Sequence, residues 1–269
     1  MKSNTTLKVW GRLGIAVVVI SGLVTAGTIA QATGPVAQDA AARSTEFSYS
    51  GGKGPGYWGE LDPAWEDCEG NARQSPINIE QSTPDANLGP LALNLHETEI
   101  NLINNGHTIE QEYEPGSTLM FEGVVYELLQ FHFHTLSEHA IDGKRGEMEL
   151  HAVFRNQETG NLAVIGQIYK LGKENEFLKA FEQMLPRHEG EHNTSETKIN
   201  VEEAFKDGPG YFTYLGSLTT PPCSPIVNWI VLKKRATMSE AQLEMFNSIL
   251  GNNFRPVQPL NGRTVRESR

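Results

Sequence analysis

The sequence predicts a single, mainly β (α+β) domain with short helices at its periphery, and three observations carry that prediction. Short β-like runs follow one another: INIE at 77–80, LALNL at 91–95, EINLIN at 99–104, TIEQEY at 108–113, TLMFEG at 118–123, VVYELLQFHFHT at 124–135, GEMELHAVF at 146–154 and LAVIGQIYKLG at 162–172. Turn chemistry separates them, including Asn105-Gly106 and Glu114-Pro115-Gly116. Helical periodicity is confined to two patches, Glu174–Leu185 and Ser239–Leu250, the second opening on Ser239 and Gln242 as a capping box. No internal repeat and no second linker divides the chain.

The elements follow in order. Residues 1–32 carry Lys2, Lys8 and Arg12, then an apolar run from Leu13 to about Ala30, then Ala30-Gln31-Ala32. That is the layout of a secretory signal peptide, with an uncleaved membrane anchor as its rival. Residues 33–46 are small and polar and are expected to form a flexible linker. The remaining domain, 47–269, opens with an irregular arm of mixed glycines and aromatics from Phe47 to Gly70. Removal of the first 32 residues, with three basic side chains and no acidic one, takes the formal charge from −11 to −14. An acidic mature chain argues against nucleic acid and anionic membrane surfaces as partners. Cys68 and Cys223 are the two cysteines. In an exported chain an even count favours a disulfide over two buried thiols.

The stretch from Gln130 to Phe154 carries the chemistry. His132 and His134 alternate with Phe131 and Phe133, so on a strand the two imidazoles share one face and the two phenyl rings the other. Glu149 and His151 alternate in the same way after the intervening turn. If the two strands pair, His151 comes beside the first two histidines, since cross-strand neighbours lie about 4.5–5.5 Å apart. Three imidazoles with no fourth protein ligand nearby describe a catalytic zinc site with an open corner. Glu149 and Gln130 each precede a histidine by two residues and could orient it from behind.

A second zinc-like pattern, His188-Glu189-Gly190-Glu191-His192, matches H-E-x-x-H. That motif needs a helix with a buried face. Here it follows Pro186, contains Gly190 and runs into HNTSETK without an apolar face, so a solvated, charged loop is expected and a zinc peptidase is the weakest reading. Residues 216–232, GSLTTPPCSPIVNWIVL, read as a proline-fixed turn followed by a strand. A hydroxyl held by that turn could donate to a carboxylate such as Glu138, and one X-Pro bond there could be cis.

Taken together, QSPINI at 74–79, INNGH at 103–107, QFHFHTLSEH at 130–139, MELHAVF at 148–154, LAVIG at 162–166, SLTTPPC at 217–223, VNWIV at 227–231 and NFRPVQPL at 253–260 resemble the alpha-class carbonic anhydrases of exported bacterial type, from about Tyr49 to Arg263. The resemblance implies a large twisted, mostly antiparallel sheet with one zinc at the base of a conical cleft. It makes His132, His134 and His151 the zinc ligands, and implies reversible hydration of CO2 to bicarbonate by attack of zinc-bound hydroxide, with weak ester hydrolysis alongside. Thr219 becomes the gatekeeper with Glu138 its acceptor, and His107 the proton shuttle. Gln130, Glu149 and the Asn253 carbonyl would support His132, His151 and His134. Val153, Val164, Leu218, Val227 and Trp229, with Thr220, would bound the CO2 pocket. Tyr49, Asn105 and Glu110, again with Thr220, would line its watery side. Cys68 and Cys223 take the positions of the family's extracellular disulfide. Sulfonamides and anions are the implied inhibitors, a homodimer is allowed, and the location is periplasmic or extracellular.

Four positions depart from the family pattern. Phe47-Ser48-Tyr49 replaces Trp-Gly-Tyr, Leu136 replaces proline, Pro225-Ile226 replaces Glu-Gly, and Glu110 brings a carboxylate where a neutral amide is usual. The alternative from another class is a non-catalytic binding protein on the same fold. Retention of all three histidines weighs against it.

Overall fold

The computed structural model describes residues 46–206 and 210–268; the signal-peptide and linker expectations for 1–45 lie outside them. The strands that position the site are β1 (Thr98–Asn104), β2 (Ile109–Glu112), β3 (Val124–His134), β4 (Met148–Arg155), β5 (Leu162–Leu171), β6 (His192–Ile199), β7 (Tyr211–Gly216) and β8 (Val227–Leu232). They lie in the order β6-β1-β2-β3-β4-β5-β8-β7 within a sheet of 13 strands, which ends beyond β7 in Arg266–Glu267 and Thr83–Pro84. Neighbours from β6 to β5 are antiparallel, while β5 and β8 are parallel. The sheet is therefore mixed, with antiparallel pairing dominant, and the helices are few and short.

Period-two alternation explains how β3 and β4 can be buried on both faces. Phe131, Phe133, Leu150, Ala152 and Phe154 enter the main core, together with Ile165, Tyr169, Phe181 and Phe246. Val153 points the other way, into a second buried cluster with Val164, Val227, Val231 and Trp229. Both layers need apolar side chains, and between them the polar residues Glu149 and His151 are fully enclosed. Such enclosure is tolerable only where each polar atom finds a partner or a ligand.

The capping box at the second helical patch is present: Ser239 Oγ accepts from Gln242 N–H and Gln242 Oε1 accepts from Ser239 N–H, opening the helix Glu240–Leu250. The patch Glu174–Leu185 differs from expectation, with only Glu176–Lys179 α-helical. Beyond it, Phe181 N–H donates to the Leu178 carbonyl and Met184 N–H to that of Phe181, so the chain tightens into three-residue turns. That winding still lands Phe177, Leu178, Phe181 and Leu185 in the core.

Two strands carry no readable alternation. HNTSETK, expected as loop, forms most of β6, and Tyr211–Gly216 forms β7. Strand β6 lies at the sheet edge with mostly exposed side chains and a register shift between Ser195 and Lys198. Backbone pairing to β1, not side-chain burial, holds it. The preceding His188–Glu191 is a turn with Gly190 at φ +78°, not a helix, so the H-E-x-x-H pattern has no buried face for a metal.

The arm from Phe47 is irregular, with short turns of helix at Gly51–Lys53, Trp58–Leu61, Pro63–Trp65 and Asp67–Gly70. Its aromatics Phe47, Tyr49 and Trp65 pack around buried Trp58 and the disulfide Cys68–Cys223, whose Cα atoms are 5.0 Å apart. A disulfide points to an oxidising environment. Among the described residues no helix is long and apolar enough to cross a membrane.

Candidate metal centre

Register builds the site. His132 is the Cα partner of His151 across β3 and β4, and His134 of Glu149. The three imidazoles His132, His134 and His151 each offer a ligand nitrogen, and those atoms lie within 4.8 Å of one another. Every ring is held from outside. His132 Nδ1 lies 2.8 Å from Gln130 Oε1, and His134 Nδ1 lies 2.7 Å from the Asn253 carbonyl. His151 Nε2 lies 3.1 Å from Glu149 Oε1, close enough for an ion pair though not aligned as a full hydrogen bond. These contacts leave Nε2 of His132, Nε2 of His134 and Nδ1 of His151 for a ligand.

Two buried polar atoms at the imidazole cluster lack a hydrogen-bond partner, as a space able to hold a cation would leave them. His134 Nε2 and Glu138 Oε2 are buried without a hydrogen bond, 3.7 Å apart, and Glu138 Oε2 is 3.9 Å from His151 Nδ1. Orphaned buried groups cost about 1–3 kcal/mol each, and a cation-centred cluster removes that penalty. Burial, then the neighbouring imidazoles, pushes His132 well down; burial also pushes His134 down, against Glu138. Both shifts favour the neutral ring, the form in which imidazole binds metal.

The support extends further back than sequence reasoning reached. His139 is fully buried, its Nδ1 2.8 Å from Glu149 Oε1, its N–H donating to Glu149 Oε2 at 2.8 Å, and its Nε2 2.7 Å from the Tyr214 hydroxyl. Tyr214 in turn donates to Ser75 Oγ. Burial works against the Glu149 charge, but His139 and His151 outweigh it and hold that carboxyl well below its usual range. Gly166, opposite His151, makes the arrangement fit: a Cβ there would come within 2.6 Å of Glu149 Oε1. The only signal for this network was the histidine ending QFHFHTLSEH, which lies past the end of the strand alternation.

Arg255 is the second residue missed. It is buried, donates its N–H to Glu138 Oε1 at 2.7 Å, and spends its guanidinium on Gln74 Oε1 and the carbonyls of Ser75 and Cys68. Burial lowers its pKa to about 10.

The other candidates fall around this centre. Thr219 is buried in a turn fastened by Leu218 N–H to the Ser224 carbonyl and Cys223 N–H to that of Thr220, with Pro221–Pro222 cis. Val153, Val164, Val227 and Trp229 form one buried cluster with Leu218 packed on it. A cleft of about 180 Å³ is lined by Tyr49, Asn105, His107, Glu110, Gln130, His132, His134 and Thr220. Burial, then Glu112, raises the Glu110 carboxyl; burial, then Glu138, raises the Tyr49 phenol well up. Phe47, at a departure from the family pattern, lines the same cleft and stacks on His107 with ring centroids 3.8 Å apart. At another departure, the Thr135–Leu136 peptide is cis. A larger groove of about 550 Å³ between β1, β2 and β6 is lined by Glu99, Glu112, Glu114 and Glu196 but by no imidazole.

A pH dependence follows for the metal-free protein. Folded pKa values of His132 and His134 lie below the ordinary 6.5, so below that pH the unfolded chain binds protons the folded one does not. Stability therefore falls as pH drops below 6.5. Glu149 adds its own loss as pH falls below about 4.5, where the unfolded carboxylate takes up a proton that the folded one does not. Urea midpoints of the apoprotein should be lower at pH 5 than at pH 7; equal midpoints would contradict the burial of neutral imidazoles.

The profile of the "Eukaryotic-type carbonic anhydrase" family matches residues 53–269. The chain is similar to a carbonic anhydrase of a Nostoc species, 38% identical over 238 residues that make up 87% of this chain and 90% of that one. It is likewise 38% identical over 226 residues to a carbonic anhydrase of Pectobacterium atrosepticum, covering 84% and 92%. Among solved structures it resembles the alpha-carbonic anhydrase of Thermovibrio ammonificans in complex with sulfanilamide, with TM-score 0.80, 38% identity and coverage of 83% and 100%.

Proposed function

Because the chain belongs to the alpha carbonic anhydrase family and catalyses the reversible hydration of CO2 to bicarbonate and a proton, we propose that His132, His134 and His151 hold one zinc ion. The observation that carries this reading is the convergence of three outwardly anchored imidazoles on buried atoms without partners. When bound, zinc supplies the Lewis acidity that makes water nucleophilic near neutral pH, an effect for which carbonic anhydrase is itself the standard example.

The residues around it divide the remaining work. Arg255 fixes Glu138 through Oε1 and leaves Oε2 as an acceptor. That oxygen has no hydrogen-bond partner in this structure; a Thr219 hydroxyl turned to donate to it would have only lone pairs to offer the reacting side, and so would favour a ligand that brings a proton. The Thr219 N–H would receive a bound anion. Val153, Val164, Leu218, Val227 and Trp229 exclude water from one side and suit CO2, which is small and apolar. Tyr49, Asn105, Glu110 and Thr220 keep the other side wet, and His107 passes the released proton to bulk. Gln130, Glu149 and Asn253 keep the three ligand rings in orientation. The same centre would attack activated esters slowly.

Sulfanilamide is bound by the Thermovibrio relative, and the same class of inhibitor is expected to bind here, as are small anions. We read residues 47–269 as the catalytic domain, preceded by a cleaved signal and a linker, with periplasmic or extracellular location and a homodimer allowed.

Stopped-flow CO2 hydration before and after zinc removal tests the proposal. Activity should vanish with zinc and return on its addition; a chain that holds zinc and stays at the buffer rate overturns it. Thr219→Val should lower hydration about 10–100-fold, as losing a partner of the metal site does, with zinc content unchanged by elemental analysis.

A further inference from the structure

The stretch His188–His192 is no zinc helix, yet its placement gives it a different use. It closes onto the end of β1 through backbone bonds on both sides of Asn104: Gly190 N–H donates to the Asn104 carbonyl at 2.7 Å, and Asn104 N–H to the Glu191 carbonyl at 3.0 Å. Asn104 Nδ2 also reaches the Pro186 carbonyl at 3.3 Å. The next residues are Asn105, Gly106 and His107, so the turn is stitched directly to the segment that carries the shuttle candidate. Gly106 sits at φ +84°, and a Cβ on it would come within 2.8 Å of Glu189 Cδ and 2.9 Å of its Oε1. The Glu189 carboxylate thus occupies the space that the missing side chain leaves.

His107 is correspondingly constrained. Its N–H donates to Asn105 Oδ1, its carbonyl accepts from Asn253 Nδ2, and its ring lies against Phe47 at an interplanar angle of 10°. We propose that Glu189 is a positioning residue for His107, an exposed negative charge beside Gly106 at the cleft rim that favours the protonated imidazole during proton exchange. The inference rests on the reading of His107 as the shuttle.

The charges facing His107 support it. Burial pushes the imidazole down, and Glu189, then Glu46, works against that. Glu46 is already paired with Lys53 at 3.1 Å, whereas no ion pair to Glu189 is present among the described residues. Phe47 and Asn253 are uncharged, and Glu110 and His132 face the same cleft from β2 and β3. Because Glu189 is exposed, its influence is screened by salt.

The test titrates the His107 Cε1 proton by NMR in the zinc-loaded protein, in Glu189→Gln and in Glu189→Lys. The midpoint should fall by a few tenths of a pH unit in the first, further in the second, and the difference should shrink at high salt. In weakly buffered CO2 hydration, the kcat profile should move with the midpoint while kcat/KM stays. Unchanged midpoints in both variants overturn the proposal. His107→Ala, with and without imidazole buffer, tests the shuttle separately: if it leaves kcat intact, the shuttle reading fails while the titration still decides whether Glu189 acts on His107.

Discussion

Replacing His134 with alanine should bring CO2 hydration down to the buffer rate and remove zinc from the purified protein. His134 is buried, its Nε2 has no hydrogen-bond partner, and its Nδ1 is committed to the Asn253 carbonyl. Alanine there leaves two ligands, and Glu138 Oε2 beside an empty volume. The loss should exceed the roughly 10–100-fold typical of an outer partner, which Gln130→Ala supplies as the graded control. Elemental analysis reads the metal, stopped flow the activity, and circular dichroism checks the fold. A His134→Ala protein with full zinc and near-native hydration would remove the imidazole triad from the mechanism.

The largest stability effect is expected at Cys68 and Cys223. Their bond closes a loop of 155 residues, for which chain entropy alone corresponds to about 5 kcal/mol, although removal of native disulfides generally costs about 2–5 kcal/mol. For a domain of this size that is on the order of 10 °C in Tm. Beyond entropy, Cys223 lies in the turn after Thr219, and its carbonyl accepts from Gln74 Nε2, while the Cys68 carbonyl accepts from Arg255. The double substitution to serine should therefore lower Tm and, at a temperature where the protein is still folded, lower kcat as well. A loss of Tm with unchanged kcat would separate the bridge from the Thr219 turn.

What could be read in the chain was whatever depends on period two. His132, His134, Glu149 and His151 alternate with large apolar residues on two paired strands, so a shared face follows from spacing alone. The Thr219 turn was legible for another reason, since proline restricts the backbone whatever surrounds it. The His139, Glu149 and Tyr214 network was not, because His139 follows a bend with no periodicity and Tyr214 comes from a distant strand. Strand β6 escaped notice because an edge strand needs no buried face. Glu174–Leu185 has apolar spacing that a helix and a chain of three-residue turns both satisfy. Arg255 had no role of its own within NFRPVQPL, and only the carbonyls and carboxylate around it explain why an arginine is buried.

The two rims of the sheet resist growth by strand addition. At one, β6 presents Glu196 and Lys198 beside its register shift; at the other, Thr83–Pro84 ends in a residue with no N–H to donate. Charge, a bulge and proline on an outer strand are the devices by which sheets avoid docking onto one another edge to edge. At these two strands edge-to-edge pairing with a second copy is therefore disfavoured, and their open backbone is a poor template for aggregation.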